Sequence, residues 1–146
     1  RKHIWCWHKS DCETANNNRK QTGSLMKQLK ILVVDDDIDG ADGLSEALEF
    51  YGHKVETTYS GEGAVDAFRR SSFDITFMDV MMLGLNGVES FLQIKEFCPN
   101  AKVYMMTGYS ARDLLAEAVD NGAAGVFHKP FSIEAVLEKA IEPYVF

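Results

Sequence analysis

From residue 28 onward, short unbroken apolar runs alternate with longer stretches in which apolar positions recur every three or four residues. The first run, Lys30-Ile31-Leu32-Val33-Val34, is closed by Asp35-Asp36-Asp37 and reads as a buried parallel strand. Ala41, Leu44, Leu48 and Tyr51 then share one helical face, with Asp39 the expected N-cap and Gly52 the stop. His53–Tyr59 is rich in β-branched residues and reads as a second strand. Ser60 caps a second helix, about Gly61–Arg70, that buries Ala64, Val65 and Phe68. Ile75-Thr76-Phe77-Met78 is a third strand ending at Asp79. After a loop with Gly84, Asn86 and Gly87, a third helix carries Val88, Phe91 and Leu92 on one face. Lys102–Met106 is a fourth strand, and Ser110-x-x-Asp113 resembles a capping box opening a helix that ends near Asn121-Gly122. Gly125–His128 is the fifth strand and Pro130 breaks it. Ser132 caps a last helix with Ile133, Val136, Leu137, Ala140 and Ile141 inward.

Strict alternation of strand and helix demands a parallel sheet with helices on both faces, joined by right-handed crossovers. Five such units predict an α/β, flavodoxin-like doubly wound (βα)5 fold with strand order 2-1-3-4-5. In that architecture ligands bind beyond the carboxyl ends of the strands, where strands one and three part company.

A length of 146 residues and 46% hydrophobic content suit one domain with a real core, and no apolar run approaches the ~18 residues of a membrane span. The formal net charge of −7 hides a split. Residues 1–30 carry seven Lys/Arg against Asp11 and Glu13, a net of +5, whereas residues 31–146 carry eight against twenty acids, a net of −12. An acidic domain is a poor binder of nucleic acid through its own surface field. Residues 1–27 show no helical or strand period, which predicts a disordered leader or an extension foreign to the natural protein; 28–146 form the domain. His3, Cys6, His8 and Cys12 invite a zinc reading, but their spacing fits no familiar finger. The leader has no apolar signal-peptide centre, and three cysteines are too few for a disulfide framework, so the cytoplasm is the default setting.

The strand ends carry the chemistry. Strand one ends in Asp35-Asp36-Asp37, strand three in Asp79, strand four in Thr107-Gly108 and strand five in Lys129-Pro130, and the predicted order brings all four to one rim. Carboxylates that close repel one another unless a cation shares the site. Hard oxygen donors suit Mg²⁺, and such sites commonly work on phosphates. Thr107 offers a hydroxyl and Lys129 an ammonium to phosphoryl oxygens. This is the equipment for in-line phosphoryl transfer onto an aspartate.

Residues 29–144 resemble the receiver domain of bacterial two-component response regulators. The resemblance rests on Ile31-Leu32-Val33-Val34-Asp35-Asp36-Asp37, Phe77-Met78-Asp79-Val80-Met81-Met82, Gly87-Val88-Glu89, Met106-Thr107-Gly108 and Lys129-Pro130-Phe131. It implies that Asp79 accepts a phosphoryl group from the phosphohistidine of a sensor kinase or histidine phosphotransfer protein. It further implies that Asp35, Asp36, Asp79 and the backbone carbonyl of Met81 hold Mg²⁺, that Thr107 and Lys129 contact the phosphoryl group, and that the Lys129–Pro130 bond is cis. The chemistry implied is self-phosphorylation and self-dephosphorylation, not turnover of a free substrate. The fourth helix, fifth strand and fifth helix would form the face read by a downstream protein or output domain. Pairing through the fourth and fifth helices is common in the family, which makes a homodimer a candidate assembly; neither nucleic acid nor membrane is an implied partner of this chain.

Two positions depart from the family pattern. Leu83 stands where a proline is usual, four residues after the phosphoacceptor, and Val126 stands where a switching aromatic is usual, three residues before Lys129. Phe127 is one place later and is expected on the opposite side of the strand. These departures point to an alternative, a receiver-like binding module that signals without phosphate. A phosphohydrolase of the haloacid dehalogenase type is a second alternative, mimicked weakly by Asp35-x-Asp37, although no acidic pair follows Lys129.

Overall fold

In the computed structural model, residues 27–108 and 111–145 are described. The strands are β1 (Lys30–Val34), β2 (Lys54–Thr58), β3 (Ile75–Asp79), β4 (Val103–Thr107) and β5 (Gly125–His128). They form one sheet in the order β2-β1-β3-β4-β5, and every neighbouring pair is parallel. The expected doubly wound topology is therefore the observed one. Helices α1 (Ile38–Phe50), α2 (Gly61–Arg70), α3 (Gly87–Phe97) and α4 (Arg112–Asp120) follow the first four strands. The last helix, α5, is one run made of Ile133–Val136, a π-helical turn Leu137–Ile141, and Glu142–Val145. The π turn has a local cause in Pro143, whose ring cannot sit against the carbonyl four residues back; there the Glu142 N–H reaches back to the Leu137 carbonyl instead.

Alternation along the strands divides the core in two. Leu32, Val34, Met78 and Met105 face one side and meet Ala64 and Phe68 of α2, Val88 and Phe91 of α3, and Ala118 of α4. Ile31, Val33, Phe77, Met106 and Phe127 face the other side and meet Ala41 and Leu48 of α1 with Val136 and Ile141 of α5. The central strand β3 is buried at all five positions, while the edge strand β2 is only half-buried. His53 ties the strand starts together: its Nδ1 accepts the Leu29 N–H at 3.1 Å, and burial holds the imidazole below its usual pKa.

Helix starts match the expected caps at Ser60 and Ser132, whose hydroxyls accept the N–H of Gly63 and Ala135. Three expectations need correction. The N-cap of α1 is Asp37, not Asp39, because the Asp37 N–H already bonds the Asp35 carboxylate and the chain turns there. Asp39 sits in the first turn, where its charge suits the helix dipole. Tyr51 is not on the buried face but lies past the end of α1, 41% exposed. The N-cap of α4 is Ala111, which makes no side-chain cap bond; Ser110, the predicted cap, lies outside the described residues, as do leader positions 1–26. Among the described residues, no helix is long and apolar enough to cross a membrane.

The β3–α3 connection is where fold and site meet. Asn86 and Glu89 form a reciprocal capping box at the start of α3, and the Gly87 N–H returns to the Val80 carbonyl at 2.9 Å. A Cβ on Gly87 would lie 2.1 Å from the Asp79 carbonyl oxygen and 2.9 Å from the Val80 Cα, so only glycine lets α3 start this close to the strand end. Gly87→Ala is expected to lower urea-unfolding stability by about 1–3 kcal/mol through overpacking. Gly43→Ala, where a Cβ meets nothing within 4 Å, should instead raise it by about 0.5–1 kcal/mol. Equal shifts in the two variants would contradict the close-approach argument.

Candidate functional site

The crevice at the carboxyl ends of β1 and β3 opens because their outgoing connections leave on opposite faces, α1 on one and α3 on the other. Asp35 and Asp36 follow β1 directly, Asp79 ends β3, Thr107 ends β4 and Lys129 follows β5. Asp35 and Asp79 are buried, at 4% and 7% exposure, whereas Asp36 is exposed. One carboxylate oxygen from each of the three lies within 4.8 Å of the others. The Lys129 Nζ donates to Asp35 Oδ2 at 2.7 Å and stands 3.2 Å from Asp79 Oδ1. Its backbone N–H donates to the Thr107 carbonyl at 2.7 Å, and the Lys129–Pro130 bond is cis, as expected.

Backbone contacts hold the other groups. Asp35 Oδ1 accepts the Asp37 N–H at 3.0 Å. Asp36 Oδ2 accepts the Leu83 N–H at 3.1 Å. Thr107 is buried, and among the described residues its hydroxyl makes one long approach, of 3.4 Å, to the Gly108 carbonyl. Met81 lies two residues past β3 with its side chain in solvent, 58% exposed. A cavity of about 650 Å³ adjoins Asp35 and Lys129 and runs between α1 and the start of α5, past Gly40, Leu44, Met106 and Phe131.

Electrostatics follow from this crowding. Burial, then the negative charge of Asp35, push the Asp79 carboxyl up to about 6, against the opposing pull of Lys129. Burial alone would lower the Lys129 ammonium, but its bond to Asp35 and the charge of Asp79 hold it above its usual pKa. Lys129 pairs with two of the three clustered carboxylates, and the number, charge and spacing of the three oxygen donors fit a small divalent cation such as Mg²⁺.

Comparison with known proteins agrees with the geometry. The response regulator receiver domain family matches residues 31–141. The chain belongs to that family. It is 35% identical to the transcriptional regulatory protein ZraR of Klebsiella oxytoca over 108 residues, 74% of this chain and 24% of that protein. It is also 35% identical to the response regulator protein FleR of Pseudomonas aeruginosa, over 75% of this chain and 23% of that one. The chain thus spans about a quarter of the length of these curated relatives. Among solved structures it is similar to the chemotaxis protein CheY4 of Vibrio cholerae, with TM-score 0.70 and 28% identity over 76% of this chain and 94% of that one. The receiver domain of NtrX from Brucella abortus gives TM-score 0.69 and 28% identity over 74% and 92% of the two chains.

The receiver fold thus brings together Asp35, Asp36, Asp79 and Lys129 in direct or near contact, with Thr107 joined to them through the Lys129 backbone. Phe127 points away from Val126's side, as expected, and packs against Phe77, Tyr104 and Phe131 with ring centroids 5.4–6.0 Å apart. Sequence reasoning missed the Leu83 N–H and the Asn86 capping box. The second had a readable signal in Asn86-x-x-Glu89, and the first had none.

The raised Asp79 pKa has a signed consequence. The fold binds this proton more tightly than the unfolded chain does, so the stabilisation is present at low pH and is lost as pH rises through about 6. In metal-free buffer at pH 7.5, Asp79→Asn should therefore unfold at higher urea than wild type, by on the order of 2 kcal/mol, with the gap closing toward pH 4. A gap that widens on acidification would refute the assignment.

Proposed function

We propose that this receiver takes a phosphoryl group onto Asp79 from the phosphohistidine of a sensor kinase or a histidine phosphotransfer protein. What carries the reading is Lys129 Nζ, set 2.7 Å from Asp35 and 3.2 Å from Asp79 beside three clustered carboxylates. Asp35, Asp36, Asp79 and the backbone carbonyl of Met81 would hold Mg²⁺. When bound, that ion supplies charge neutralisation for the acids and for the transferring phosphoryl oxygens.

The chain's own residues do the rest. An Asp79 carboxylate oxygen attacks phosphorus in line; the O–P bond forms as the P–N bond breaks, and the electron pair stays with the donor imidazole. Lys129 has three donors and can turn one from Asp79 to a phosphoryl oxygen while keeping Asp35. The Thr107 hydroxyl, weakly engaged at rest, supplies a second donor. Drawing Thr107 toward the phosphoryl group shifts the end of β4 and the start of α4, which biases the α4, β5 and α5 face for a downstream protein or output domain. The protein is then a phosphorylated signalling domain acting in the cytoplasm, with no chemistry beyond gaining and losing its own phosphoryl group.

Incubation with Mg²⁺ and acetyl phosphate, followed by intact-mass analysis, tests this. One acid-stable, hydroxylamine-labile phosphate adduct is expected, absent in Asp79→Asn and without divalent cation. Lys129→Ala should slow its formation at least tenfold, as the loss of one positioned charge-assisted donor. No adduct on the wild type would support the phosphate-independent module, and rapid turnover of many phosphate esters would support a hydrolase.

A further inference from the structure

The β3–α3 loop is fixed at both ends. At one end the Val80 N–H bonds the Met106 carbonyl at 2.9 Å; at the other the Gly87 N–H closes back onto Val80, and the Asn86 capping box anchors α3. Between these anchors Gly84 turns the chain in the left-handed region, φ +75°, just after Leu83. The turn leaves the Leu83 side chain in solvent, 87% exposed, and its backbone N–H on Asp36 Oδ2 at 3.1 Å.

Asp36 differs from its two partners in the cluster. Asp35 and Asp79 are buried and share Lys129, so their carboxylates are held by packing and by charge. Asp36 is exposed, and an exposed carboxylate samples several rotamers unless a donor selects one. A backbone N–H is a suitable selector, because it has no rotamer freedom of its own and engages one carboxylate oxygen while leaving the other open.

The geometry points to the Leu83 backbone N–H as a positioning group for cation binding: it latches Asp36 in the orientation that lets the three carboxylates share one ion. The inference rests on the Mg²⁺ site proposed above. The Leu83 side chain has little part in it, since it is exposed. A proline at position 83 has no N–H and cannot form the latch. The same bond couples the ion to the loop that carries Met81, so occupancy of the site and the position of the loop are linked.

Calorimetric titration of Mg²⁺ into wild type, Leu83→Ala and Leu83→Pro tests the latch. The alanine variant keeps the N–H and should bind within twofold of wild type; the proline variant should bind about three- to tenfold more weakly. Equal affinity in wild type and Leu83→Pro, or an equal loss in Leu83→Ala and Leu83→Pro, overturns the latch and leaves the proposed site standing. A wild type that binds no Mg²⁺ overturns both. Because proline also restricts Met82, a second arm uses the unaltered backbone. In ¹⁵N-labelled protein the Leu83 amide proton should exchange slowly and shift upfield in Asp36→Ala, and a Leu83 amide indifferent to that substitution overturns the latch.

Discussion

Two buried carboxylates facing each other across β1 and β3 set the terms for the rest of the molecule. At an effective dielectric near 20, unit charges ~4 Å apart repel by about 4 kcal/mol, and burial adds a desolvation cost to each. Lys129 offsets this from 94 residues further along the chain than Asp35. Its ammonium reaches back from the edge strand β5 past β4 to the acids beyond β1 and β3. Among the described residues one lysine stands against three acids at the rim, and burial, then the charge of Asp35, raises the Asp79 pKa against the pull of Lys129. A site under such strain is stabilised by whatever brings positive charge.

The sheet converts that local shortage into geometry. Every strand is parallel, so every carboxyl end is on one rim, and the two-sided core holds those ends in fixed register. Gly87 lets α3 begin against the Asp79 backbone, and the Val80 N–H ties the end of β3 to the Met106 carbonyl of β4. Movement at Asp79 is thereby felt one residue from Thr107. On the far side of β5, Phe127 is locked among Phe77, Tyr104 and Phe131. An aromatic in that layer belongs to the core, and Val126 on the other face of the strand has no ring to swing.

Most of the architecture was legible because the buried strands are rich in apolar and β-branched residues, with β1 an unbroken apolar run, and polar residues close them at the rim. Ile31–Val34 followed by Asp35, and Ile75–Met78 followed by Asp79, place both acids without any knowledge of packing. Alternation placed Phe127 on the correct face. What stayed hidden depends on backbone geometry, not on residue type. Asp37 takes the cap position expected of Asp39 because its N–H is claimed by Asp35. The Leu83 contact to Asp36 is made by an amide that every residue but proline possesses, so no side chain announces it. The π turn in α5 follows from Pro143, whose effect on the turn before it is a matter of backbone hydrogen bonding and not of the apolar pattern. Residue chemistry suggested a cation for the clustered acids and a phosphoryl donor in Thr107, and family likeness added the specific ligand set with the Met81 carbonyl; their places at the rim came from strand order.

In the proposed reading the three rim carboxylates, held beside Lys129, share one cation. Diffraction from crystals grown with Mn²⁺ in place of Mg²⁺, collected at the manganese absorption edge, would locate that cation. One strong anomalous peak is expected within coordination distance of Asp35, Asp36 and Asp79 together, with Lys129 still bound to Asp35. A peak that touches only the exposed Asp36, or that lies elsewhere on the acidic surface, would contradict it.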